Sequence, residues 1–188
     1  MKKFYNKFKI NNYTYIFFVL CALCGYLKNI SIIFFICLIH EFGHIFFIKY
    51  FKYDIVCVEL LPFGGFTTTN KRINSNINKD IIINFGGIFF QIIIYFVLLL
   101  LKNSMNIITY NLFINYNFII MFFNLLPIIP LDGNNITHLF LEKFFSYKIS
   151  YKINFIISTC TLIIFLVFNY LFSIHSQTVP KTEMQCKV

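Results

Sequence analysis

What most limits the fold of this chain is a series of five apolar runs, each near the length that crosses a lipid bilayer. They occupy residues 13–27, 30–48, 81–101, about 107–126 and 153–174. The hydrocarbon core of a membrane is about 30 Å thick and takes about 20 helical residues to cross. With no water there to satisfy backbone groups, such runs fold as helices. The whole chain is 59% hydrophobic and 12% charged, far from a soluble globular average. The first run is short and borrows flanking residues, with Lys28-Asn29 read as the turn into the second. No small-residue cleavage site follows it, so it reads as a retained span and not a removed signal. The expected fold class is an all-α polytopic membrane protein with about five to six transmembrane helices.

Between the second and third runs lies a long mixed segment, 49–80. Residues 55–61 are rich in β-branched side chains, Pro62-Phe63-Gly64-Gly65-Phe66 marks a turn, and 67–69 is read as a returning strand. The segment is too apolar for a free loop. It is expected to form a membrane-associated, β-like loop covered by the helices.

A net charge of +9 raises the question of nucleic acid, and the placement of the basic residues answers it. Placing the N-terminus in the cytoplasm puts Lys2, Lys3, Lys7, Lys9, Lys49, Lys52, Lys71, Arg72, Lys79, Lys143, Lys148 and Lys152 inside, twelve of the sixteen basic residues. Lys28, Lys102, Lys181 and Lys187 remain outside. This asymmetry follows the positive-inside rule and the attraction of basic loops to anionic headgroups. The expected partner is the lipid bilayer, with no direct nucleic acid.

The second run contains His40-Glu41-Phe42-Gly43-His44. Residues four apart share a helix face, so both imidazoles point to one spot. Two histidines at that spacing suit one zinc ion, with the adjacent Glu41 as general base. With four His and four Glu in the chain, chance yields the pattern about once in five hundred sequences. Three polar side chains in hydrocarbon are costly unless they serve a purpose.

A third ligand must come from elsewhere. Glu59 and Glu142 are available, and Asp132 is the better candidate. It follows the fourth run in Asn124-Leu125-Leu126-Pro127-Ile128-Ile129-Pro130-Leu131-Asp132-Gly133, on the side where the second run also ends. Pro127 and Pro130 stop the helix and free backbone groups where a substrate binds. Gly133 is read as permitting an unusual backbone angle beside Asp132. The plainer reading makes Asp132 the N-cap of a short helix through His138 and Leu141.

These two motifs, in this order, resemble the site-2 protease family of intramembrane zinc metalloproteases. Leu60-Leu61-Pro62-Phe63-Gly64-Gly65 and the segment from Asn124 to Gly133 bring the resemblance closest to its stage IV sporulation branch. It covers roughly residues 13–174. The resemblance implies zinc held by His40, His44 and Asp132, Glu41 as catalytic base, and Asn124 helping to hold the substrate backbone. It implies as substrate a membrane-associated sigma-factor precursor, and membrane inhibitor proteins as further partners. Where the family often has Gly-Pro in its third span, this chain has Gly86-Gly87-Ile88, whose glycines still allow close helix approach. The expected organisation is a transmembrane metalloprotease domain over 1–174 and a polar tail over 175–188, without the soluble nucleotide-sensing module usual in that branch. Active site and N-terminus are expected to face the cytoplasm.

The remaining polar residues have plainer readings. His138 is read as a packing or interfacial histidine, His175 as a span end, and Gln91 as interhelical glue. Cys21-Ala22-Leu23-Cys24 lacks a second pair or a βαβ pattern, and free cysteines in apolar runs behave as small hydrophobes. Two other classes use His and Asp in membrane helices: a metal transporter, and a non-catalytic protein that captures membrane helices. A transporter needs polar groups along both leaflets, and spans three and five offer almost none.

Overall fold

The computed structural model describes residues 8–61, 64–70 and 76–178. Most of the basic leader, the Pro62-Phe63 turn, Lys71, Arg72 and the tail beyond 178 lie outside the described residues. The elements run β1 (Phe8–Ile10), α1 (Asn12–Leu23), α2 (Leu27–Tyr50), β2 (Asp54–Leu61), β3 (Gly64–Asn70), α3 (Ile77–Leu101), α4 (Ile107–Leu125), α5 (Asp132–Leu141) and α6 (Tyr147–Thr178). Helices α2, α3, α4 and the Tyr147–Ile174 part of α6 are long and apolar enough to cross a membrane. The protein is therefore a polytopic helical membrane protein with a small sheet.

Two boundaries differ from the sequence reading. The first apolar run forms a helix of only 12 residues, about 18 Å long, shorter than the hydrocarbon core. Its turn lies at Cys24–Tyr26, and Lys28 and Asn29 already belong to α2. Gly25 takes φ +78. The Gly25 amide bonds Ala22 O and the Tyr26 amide bonds Cys21 O, the glycine-based stop that caps helix carbonyls. At the other end, residues 147–152, read as loop, form the first turns of α6.

Helix α2 is the centre of the molecule. Ile32, Ile36, His40, His44 and Ile48 follow one another at intervals of four, and all are buried. Its closest neighbour is α3. A Cβ on Gly43 would strike the Gly86 carbonyl, and a Cβ on Gly86 would lie 2.7 Å from the Gly43 carbonyl oxygen. The two backbones touch there because neither residue has a side chain.

The 49–80 segment contains a real sheet of order β1-β2-β3. β3 runs antiparallel to β2, with Val58 opposite Thr67 and Leu60 opposite Gly65. β1, a strand of three residues too short to stand out in the sequence, pairs parallel to β2. Ile55 and Val58 pack with Ile45 and Ile48 of α2, anchoring the sheet beside the histidine helix.

Candidate metal centre

The three side chains that sequence reasoning grouped come together. His40 Nε2 lies 2.9 Å from Asp132 Oδ2, and His44 Nε2 lies 3.0 Å from the same oxygen. The two Nε2 atoms are 3.1 Å apart. Among the described residues no other group of three His, Cys, Asp or Glu side chains has this convergence. Glu59, an alternative ligand, instead accepts a hydrogen bond from Asn11 Nδ2 at 2.9 Å. Glu142 caps the far end of α5, about 15 Å of helix from Asp132. Asp132 is the first residue of α5 and not its cap, because Leu131 holds the cap position and makes no side-chain cap bond.

The outer nitrogens fix which atoms face inward. His44 Nδ1 donates to the Ile83 carbonyl at 2.8 Å, and a carbonyl can only accept. His40 Nδ1 donates to Gln91 Oε1 at 3.1 Å. With Nδ1 protonated, each neutral imidazole turns a lone pair inward at Nε2. Two such lone pairs and a carboxylate oxygen then meet at about 3 Å, an arrangement that a shared cation would satisfy. Two imidazoles and one carboxylate with outer partners on both rings are a donor set that fits zinc.

Glycines set the clearances. A Cβ on Gly87 would fall on the His40 ring, and a Cβ on Gly65 would lie 2.7 Å from Glu41 Cγ and 2.8 Å from its Cδ. The Gly65 amide donates to Glu41 Oε1 at 3.1 Å, holding the carboxylate beside the triad. Gly133 has no unusual backbone angle. Its role is close approach, since a Cβ there would strike the Leu125 and Leu126 carbonyls at the end of α4.

A cavity of about 360 Å³ opens beside the centre, lined among others by Glu41, His44, Thr67, Asp80, Asp132 and His138. Pro130 lines it too, whereas Asn124, half-buried in the last turn of α4, and Pro127 do not. His138 faces the cavity and also packs edge-on against Tyr147 and Tyr151, so it combines packing with a cavity wall. Gln91 bridges helices as read, and the structure adds its specific partner, His40. The carbonyl of Ile83 has no sequence signal, because a backbone oxygen carries none.

The sequence pattern of peptidase family M50 matches residues 29–106 and 101–168. Stage IV sporulation protein FB of Bacillus subtilis (strain 168) is 31% identical over 157 residues, 82% of this chain. The chain spans about half, 54%, of that relative's length. The solved structure of the site-2 protease from Methanocaldococcus jannaschii superposes with a TM-score of 0.68 at 26% identity, over 89% of this chain and 82% of that one.

Proposed function

The chain belongs to the site-2 protease family, peptidase family M50, and on that premise we propose that it is a zinc-dependent endopeptidase that cuts membrane-associated proteins. The observation that carries this reading is the convergence of His40 Nε2, His44 Nε2 and Asp132 Oδ2 beside Glu41. His40, His44 and Asp132 hold the metal, with Gln91 and Ile83 orienting the two rings. When bound, zinc supplies Lewis acidity, which lowers the pKa of a water and polarises a peptide carbonyl. Glu41 takes the proton of the attacking water at its carboxylate and passes it to the leaving amine. The Gly65 amide keeps Glu41 pointed at that task.

The substrate reaches the site as an extended strand. β3 is an edge of the sheet, and the Gly65 N–H faces away from β2 towards Glu41. Alternation along the strand turns the backbone groups of Thr67 and Thr69 to the same free edge, and both residues line the cavity. An unwound peptide adds there by strand pairing. Pro130 borders the cavity, and the substrate roles of Asn124 and Pro127, which lie outside that lining at the end of α4, rest on the family resemblance and the helix break. Zinc, a substrate of the sigma-factor-precursor class and membrane inhibitor proteins follow from the family resemblance, and a cytoplasmic site follows from the basic residues.

The test is co-expression with a membrane-tethered sigma-factor precursor, comparing this chain with Glu41→Gln on a gel. A shortened product made only with Glu41 intact supports the reading. Cleavage that survives Glu41→Gln overturns the assigned base.

A further inference from the structure

Helix α6 has an inverted polarity. Among the described residues its buried side chains are Ser150, Asn154 and Ser158, at 0%, 4% and 5% exposure, while Ile149, Tyr151, Phe155 and Ile156 are exposed and Ile153 and Ile157 half-buried. The three lie at i, i+4 and i+8, one stripe along about 12 Å of helix. All three reach the segment that carries Asp132. Ser158 Oγ accepts from the Ile129 amide at 2.9 Å, three residues before it. Asn154 Nδ2 donates to Asn134 Oδ1 at 2.8 Å, two residues after it. Ser150 Oγ donates to the His138 carbonyl at 3.0 Å.

We infer that Ser150, Asn154 and Ser158 form a positioning strap that sets Asp132 in register with His40 and His44. The inference rests on the reading of Asp132 as third metal ligand. The physical reason lies in how differently the ligands are held. His40 and His44 share one rigid helix, whereas Asp132 follows a non-helical stretch containing Pro127 and Pro130 and begins a helix of only ten residues. In a low-dielectric surrounding, a polar side chain finds few substitute partners, so each bond fixes its segment. Bonds on both sides of Asp132 limit its translation and its rotation about α5. None of the three strap residues belongs to the converging ligand group, so their effect passes through Asp132.

The experiment measures zinc affinity of the full chain in detergent by competition with a chromophoric chelator, and the zinc-induced rise in melting temperature. Asn154→Ala and Ser158→Ala are each expected to weaken zinc about tenfold, the scale seen when groups orienting a ligand are removed. Both should shrink the zinc-induced thermal shift. Asn134→Ala with Asn154→Ala should cost no more than Asn154→Ala alone, since they break the same bond. Thr159→Val is the control, because that exposed hydroxyl bonds only to Phe155 O of its own helix. It should bind zinc as the parent does. Parent-like zinc affinity in Asn154→Ala and Ser158→Ala overturns the strap, as does equal weakening by Thr159→Val, which would mean general loosening of α6. Asp132→Ala separates the two levels: if it too keeps parent-like zinc affinity, the ligand reading itself fails.

Discussion

Gly65 and Gly87 clear space for different members of the same site, and that separates their effects. The Gly87 position leaves no room between α3 and the His40 ring. Gly87→Ala must push a metal ligand aside, at an overpacking cost of about 1–3 kcal/mol. The expected outcome is at least tenfold weaker zinc binding, with cleavage lost in parallel, read by chelator competition. Gly65→Ala meets instead the end of the Glu41 side chain, which can swing away. Zinc affinity should stay and the cleavage rate should fall about a hundredfold, towards the lower range of general-base contributions. Glu41→Gln should likewise retain zinc while losing about 10²–10⁴ in rate. If Gly65→Ala and Gly87→Ala lost zinc equally, the division of labour between base and ligand would be wrong.

At the scale of elements, β3 is the part whose edge has a use. Proline is tolerated at a strand edge when its missing N–H faces away from the neighbouring strand. Thr67→Pro removes a donor on the free edge while leaving the pairing with β2 in place. Loss of one hydrogen bond, about 0.5–1.5 kcal/mol, should weaken cleavage about three- to tenfold with zinc binding unchanged. Unchanged cleavage would count against strand addition. Which elements the sequence disclosed follows from the range of their interactions. Helix α2, β2 and the break after α4 were legible because apolar length, β-branched content and prolines act locally. The His40–Asp132 pairing was legible through the side of the membrane on which two spans end. β1 was not, since three residues pairing with a strand far along the chain leave no local pattern. The polar stripe of α6 was present in the sequence as Ser150, Asn154 and Ser158. Ser150 fell in the stretch read as loop, and Asn154 and Ser158 in a span read as nearly apolar, where a helix facing lipid reverses the usual meaning of a buried face.

For the whole molecule, orientation decides which compartment supplies substrate and water. The site, the sheet and the α4–α5 break lie towards one end of the spanning helices, where α2 ends at Tyr50 and α3 begins at Ile77. The opposite end holds the α1–α2 turn and the loop at 102–106. There Lys28 Nζ bonds Thr109 Oγ1 at 3.1 Å, tying the start of α2 to the start of α4. The site end carries Lys9, Lys49, Lys52, Lys79, Lys143, Lys148 and Lys152 among the described residues, and the opposite end Lys28 and Lys102. Translocating basic loops is disfavoured, so the orientation we propose has the site end facing the cytoplasm. In a cysteine-free background, Ser104→Cys and Ser146→Cys place one exposed thiol at each end. A membrane-impermeant maleimide should label Ser104→Cys on intact cells and Ser146→Cys only after lysis. The reverse pattern would put the cleavage site outside and exclude a cytoplasmic substrate segment. The charge argument adds a further control. Replacing Lys143 and Lys148 with glutamine lowers the bias at the site end without touching the metal centre, so a topology set by several loops should hold and labelling should stay unchanged.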